Sequence, residues 1–192
     1  LPLGVFELKS GVRTEATIGE AYRDIEYYKK EIPKLFLYNQ VVGLSDLFNA
    51  RYGTISSSWE RYGTWKGIKT ENDFPKEAEE LEVLTKGLFN KERFLDALQH
   101  FTIFEADSDG EAVTYTKKMC LYHQYYGVNK TIDSTIHAVL GKQDRKIGVF
   151  WHTQGSGKSL SMVFYVNKTK NIPELKSPAY VFLTDREDLD DQ

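Results

Sequence analysis

Residues Leu3 to Lys9 (LGVFELK) alternate apolar and polar positions at a period near two, which predicts a strand. From Glu15 to Glu31 the period lengthens: Ala21, Ile25 and Tyr28 recur three and four apart, the spacing of one helical face. Thr14 or Thr17 offers a cap for that helix, and Pro33 a stop just beyond it. LFLYNQVVGLSD and ARYGTISS then read as two strands with Asn, Asp and Gly between them. Strand, helix, strand, strand makes a small α/β unit. The charged stretch TWKGIKTENDFPKEAEELEVLTKGLF predicts a surface connection running into a short helix. Residues 91–106 (KERFLDALQHFTIFEA) predict another helix, with a turn at DSDGE after it. A long helical pattern follows from Thr116 to Leu140, with Gly127 as a candidate break. The chain closes with a strand (KIGVFWH), a glycine-rich loop, a helix from Lys158 to about Lys170, a connection with Pro173 and Pro178, and a strand (AYVFLTD). There is no internal repeat and no low-complexity tract.

The loop carries the clearest chemistry. IGVFWHTQGSGKSLSMVFYVN is a buried-type strand, a glycine-rich turn and a helix start, the setting in which GSGKS binds phosphate. Gly155 and Gly157 let successive backbone N–H groups face one point, and the helix adds the positive end of its dipole there. Lys158 is placed to reach the β- and γ-phosphates of a nucleotide, and Ser159 to set its hydroxyl on Mg²⁺. Thr153, Gln154 and Ser156 complete the loop. The full pattern has a first glycine where His152 stands, a departure shared by helicase-type motors. A merely glycine-rich turn with an exposed lysine is the weaker reading.

A second candidate is weaker by itself. Residues two apart on a strand share a face, so Glu7 and Lys9 project together. A carboxylate that holds Mg²⁺ and an ammonium beside it suit phosphodiester hydrolysis, and a plain surface ion pair has the same pattern. The second motor strand ends in Thr184, Asp185 and Arg186, on the ligand side of an open α/β sheet. That segment meets nucleotide or nucleic acid there, or it simply starts a solvated helix with acids in its first turn.

Composition adds limits. The chain has 192 residues, 41% of them hydrophobic and 28% charged, enough for a core in one domain or two small ones. No apolar run approaches the ~20 residues needed to cross a bilayer, so no membrane role is expected. Cys120 is the only cysteine, which excludes an internal disulfide and fits a reducing, cytoplasmic setting. The net charge of −3 neither favours nor excludes nucleic acid. His100, His123, His137 and His152 show no metal-ligand spacing and are expected to be ordinary. Trp59, Tyr62 and Trp65 are candidates for base stacking, with packing the stronger expectation. The first residue is Leu1 and the chain ends in EDLDDQ, as an internal piece of a longer protein would.

At these residues the chain resembles the restriction (motor-nuclease) subunit of type I restriction-modification enzymes. LPLGVFELKS, ATIGEAYRDIEYYKK, WERYGTWKG and YHQYYGVNKTI carry the resemblance, and WHTQGSGKS followed by TDREDLDDQ is its most specific part. It implies an α/β chain: residues 1–85 as the later part of a PD-(D/E)xK nuclease domain, 86–115 as a linker, and 116–192 as the start of a RecA-like motor domain of helicase superfamily two. Glu7 and Lys9 would be the nuclease acid and lysine, with another metal-binding Asp upstream. The family's Gln-x-x-x-Tyr helix motif, aligned on Tyr28, has Asp24 at the Gln position, and its Ser-Asp-Gly turn reads Ser45-Asp46-Leu47. Gln124 would be the adenine-reading glutamine, against an ordinary polar helix position, and Asp185 and Arg186 would approach the DNA backbone. The resemblance implies ATP and Mg²⁺ as cofactors, and double-stranded DNA with methylation and specificity subunits as partners. Its activity would be ATP-driven DNA translocation with cleavage away from the recognition site. Two rivals stand beside it: a superfamily-two helicase or repair motor with an inert Glu-x-Lys strand, and a nucleotide-binding interaction module with no DNA role.

Overall fold

A computed structural model describes residues 1–10, 17–46, 48–73, 75, 78–108, 113–141 and 144–183. The chain divides into two compact units, Leu1–Tyr122 and His123–Gln192.

In the first unit, β1 (Gly4–Leu8) runs parallel to β2 (Val41–Ser45), with α1 (Ile18–Glu31) as the crossover between them. β3 (Ala50–Gly53) returns antiparallel to β2, giving the order β1-β2-β3. Thr17 caps α1 by accepting the Glu20 amide, and Pro33 opens a short 3₁₀ turn just after the helix, as the sequence predicts. The alternation of the strands decides what each face meets. Val42 and Leu44 pack with Ala21 and Ile25 of α1, together with Phe36 and Tyr62, in one buried cluster. On the opposite face Phe6 lies flat over Gly43, where a Cβ would stand 2.4 Å from its ring. Phe6 continues to Phe89 at 5.0 Å between centroids, and Phe89 stacks on Phe94 at 4.9 Å. β2 is therefore buried along its whole length.

Beyond β3 come α2 (Glu80–Gly87) and α3 (Lys91–His100). Here two expectations fail. The helix expected over 91–106 stops at His100, and the helix expected from Thr116 starts only at Tyr122. Between them stands a hairpin of β4 (Thr102–Ser108) and β5 (Val113–Met119). Thr102, Ile103 and Phe104, then Val113, Thr114, Tyr115 and Thr116, are β-branched and aromatic residues, which fit a pleated surface better than a helix. The hairpin's root is tied to the turn after β3: Thr54 Oγ1 donates to the Lys117 carbonyl at 2.6 Å, and the Lys117 amide donates to Ser56 Oγ at 2.7 Å. Trp65 and Tyr62 are 1% and 4% exposed, and Trp59 is partly buried in a ring cluster with Tyr22, so these aromatics serve as packing.

The second unit is built on α4 (Tyr122–Leu140), from His123 onward, and α5 (Lys158–Thr169). α4 passes through Gly127 without a break; the glycine is there because a Cβ would lie 2.7 Å from the Phe150 ring. Thr135 and Tyr165 share a hydroxyl bond of 2.8 Å, and Lys168 donates to Asn129 at 2.7 Å, joining the helices. The strands expected at KIGVFWH and AYVFLTD do not form among the described residues, which run as unpaired chain over 144–153 and 178–183. A strand exists only through its ladder, and here no neighbour supplies one. Val149, Trp151, Val181 and Leu183 are accordingly 80–95% exposed. No helix among the described residues is long and apolar enough to cross a membrane.

Candidate nuclease and phosphate-loop sites

β1 carries Glu7 on the face that α1 covers, because Glu7 is in register with the core residue Leu44. Lys9 continues the same face just past the strand, where its amide donates to the Ser45 carbonyl at 2.7 Å. Its ammonium lies 3.3 Å from Glu7 Oε1 and is also bonded to Asp24 Oδ2 of α1. The side chains of Lys9 and Glu7 are only 17% and 18% exposed. The hydrogen bond that Lys9 donates to Asp24 raises the Lys9 pKa above its ordinary value; burial opposes this, and Glu7 assists it. Lys9 is thus a firm cation at neutral pH, suited to stabilising or orienting negative charge and unsuited to taking up a proton.

Asp24 is therefore the third member of the cluster. Asp46 is a neighbour on the same sheet face, though with other work: it accepts from the amides of Ile18, Phe48 and Asn49 and from the Asn49 carboxamide. The Ser45-Asp46-Leu47 variation is a helix-start and turn anchor at Asp46, with Leu47 outside the described residues. As a metal site the donor set is incomplete. Glu7 and Asp24 supply two carboxylates, both engaged by Lys9, and no group of three or more His, Cys, Asp or Glu side chains among the described residues is placed to hold a metal ion.

In the second unit the loop is formed as its glycines dictate. Gly155 and Gly157 have φ of +78° and +82°, the left-handed region that side chains resist. Thr153 starts the turn: its carbonyl accepts the Ser156 amide at 3.2 Å and the Ser156 hydroxyl at 2.6 Å. Gln154 sits exposed within that turn. Gly157 is the N-cap of α5, so Lys158 and Ser159 open the helix. Lys158 reaches back across the loop to the His152 carbonyl at 3.0 Å. This is the layout of an anion nest at a helix N-terminus, and its lysine and hydroxyl suit a nucleotide with its magnesium ion.

Gln124 is 1% exposed, and its Nε2 donates to the Gly157 carbonyl at 3.0 Å. Two histidines expected to be ordinary also meet at this loop. His123 lies 3.1 Å from the Ser156 carbonyl, and its ring stands edge-on to His152 at 4.9 Å. Burial, then the charges of His123 and Lys158, hold the His152 imidazole below its ordinary pKa. No spacing rule finds this pair, because twenty-eight positions (152 − 123 = 29, less one) separate the two residues and only the fold closes the gap. Asp185 and Arg186 lie outside the described residues.

Comparison with known proteins agrees with this division. A family model for the type I restriction enzyme R protein N terminus matches residues 1–61. A model for SWI2/SNF2 ATPase matches residues 123–192. The HindI type I restriction enzyme endonuclease subunit of Haemophilus influenzae is 48% identical over the whole of this chain. Over its whole length the chain is thus similar to part of the type I restriction endonuclease subunits. In Methanocaldococcus jannaschii, chains assigned as the MjaIXP and MjaVIIIP endonuclease subunits of type I restriction enzymes are 34% and 28% identical, again over the whole chain. The chain spans 18–19% of the length of these curated relatives.

Proposed function

We propose that this part of a type I restriction endonuclease subunit unites a nuclease centre with the nucleotide site of a DNA motor. The observation that carries the reading is the presence in one chain of two separate constellations. Lys9 is drawn onto Glu7 and Asp24 in the first unit, and a glycine loop with Lys158 opens α5 in the second. Residues 1–85, within the first unit, are read as the later part of a PD-(D/E)xK nuclease domain, 86–115 as a linker, and 116–192 as the start of a RecA-like motor domain.

In the nuclease centre Glu7 holds Lys9 in place, and the Lys9 cation stabilises charge on a scissile phosphate. Asp24 takes the position of the family's glutamine as the orienting group on α1. In the motor, backbone amides of residues 155–159 hold the phosphates of ATP and Lys158 neutralises their charge. Ser159 is the residue that would hold magnesium, which would supply further neutralisation of the phosphate charge. Gln124 is assigned to the adenine end, and Asp185 and Arg186 to the DNA backbone. The whole enzyme would translocate double-stranded DNA with ATP and cut it away from the recognition site, which methylation and specificity subunits would read.

The test uses the full-length subunit assembled with those partners on unmethylated plasmid, with ATP and magnesium. Glu7→Ala should leave ATP turnover unchanged and abolish linearisation, a loss of at least about 100-fold for a group acting on charge in the transition state. Lys158→Ala should abolish both. Linearisation by Glu7→Ala at the wild-type rate would reduce Glu7 and Lys9 to a surface pair and leave the motor alone.

A further inference from the structure

The geometry points to His123 as a positioning residue of the phosphate loop, acting with its neighbour Gln124 as a two-pronged clamp. This rests on the reading of GSGKS as a nucleotide site. Two consecutive side chains at the head of α4 bond two consecutive carbonyls of the loop. His123 Nε2 is 3.1 Å from the Ser156 oxygen, and Gln124 Nε2 is 3.0 Å from the Gly157 oxygen. A carbonyl only accepts, so His123 carries its proton on Nε2 in this contact.

The consequence follows from the peptide bond. Each peptide group is planar and trans, so its N–H points opposite to its C=O. With the Ser156 and Gly157 oxygens held against α4, the amides of Gly157 and Lys158 are turned to the other side. The Gly157 oxygen also accepts the Ser161 amide at 3.1 Å and the Ser161 hydroxyl at 3.2 Å, as the first carbonyl of α5. Its partner amide, on Lys158, therefore points out of the helix N-terminus, where an anion settles. Glycine is required at 157 on both counts: φ is +82°, and a Cβ would stand 2.6 Å from Gln124 Nε2. The clamp continues to the lysine. His123 packs on His152, and the His152 carbonyl takes the Lys158 ammonium.

At His123 a hold on the peptide plane acts on the phosphate chain whatever base it carries, which separates this residue from the base-reading role assigned to Gln124. The experiment is calorimetric titration of the full-length subunit with magnesium ATP and with magnesium tripolyphosphate. His123 is exposed, so its substitutions leave the helix packing intact. His123→Ala should weaken both probes by the same factor, roughly fivefold to tenfold, the net worth of one hydrogen bond. His123→Gln, which restores an N–H donor, should recover most of that loss. Gln124→Glu, which sets an acceptor against the Gly157 carbonyl, should weaken both probes further, and ATP more than tripolyphosphate because Gln124 is also assigned to the adenine end. The clamp is overturned if His123→Ala binds both probes as wild type does, or if it loses ATP alone. Wild-type protein that binds neither probe would instead overturn the nucleotide-site reading, and the clamp with it.

Discussion

Asp46 ties together three stretches of the first unit. Its carboxylate accepts the Ile18 amide at the head of α1 and the Phe48 and Asn49 amides in the turn before β3. Burial alone would raise its pKa, but the bonds from Asn49, Ile18 and Phe48 outweigh it and lower the value. A carboxyl with a depressed folded pKa contributes stability above its unfolded value, near 3.8, and loses it as pH falls through the folded value. Urea unfolding should therefore show wild-type stability declining below about pH 4. Asp46→Ala should lose about 1–3 kcal/mol at pH 7, since it leaves three part-buried amide bonds without their acceptor, and should flatten that acid slope. An unchanged midpoint would show that water replaces the carboxylate at no cost. Lys9 has the opposite sign. Its raised pKa gives stability that is present below the ordinary lysine value and is lost only as pH rises through the folded one. Lys9 is thus a cation across the neutral range.

At the scale of elements, the βαβ unit was legible because its two periods are clean. Period two gave β1, and the three-and-four spacing of Ala21, Ile25 and Tyr28 gave α1. Residues 101–119 were not legible in the same way. Phe101, Phe104 and Leu95 extend a helical pattern, and only pairing of Thr102–Ser108 with Val113–Met119 makes a strand the better answer. The ladder puts Phe104 and Ala106 on one face with Tyr115 and Val113, and Glu105 with Thr116 on the other. No local window contains that information. Close approach between elements is equally non-local. Gly43 reads as an ordinary strand glycine, yet it is the floor on which the Phe6 ring lies. Gly43→Ala should cost about 1–3 kcal/mol by overpacking, measured as a fall in the denaturation midpoint with unchanged m-value. The double substitution with Phe6→Leu should recover part of the loss. Additive losses would mean that the two positions do not share one space.

At the scale of the whole chain, the two units differ in how much of their apolar surface they cover. The first buries Val42, Leu44, Ile25, Tyr52, Trp65 and Leu84 at 1% exposure or less. In the second, Val149, Trp151, Val181 and Leu183 stand 80–95% exposed on the two segments expected to be strands. Residues 1–122 expressed alone should unfold in one cooperative urea transition. Residues 123–192 alone should show no such transition and should bind a hydrophobic dye. A cooperative transition from 123–192 would show that its two helices are a sufficient core.

What the sequence determined by itself was local or carried by short motifs. The strand alternation of Leu3–Lys9, the Thr17 cap, the Pro33 stop, the glycines that turn GSGKS and the helix after it all act within a few residues, where backbone sterics and periodicity suffice. Tertiary structure decided what those local pieces meet. It placed Asp24 on Lys9, set Asp46 as an anchor, brought His123 and Gln124 to the loop and left the apolar segments of the second unit unpaired. Each of these depends on groups far apart in the chain. Their energies come from desolvated contacts and ladder pairing, which exist only once the chain has folded.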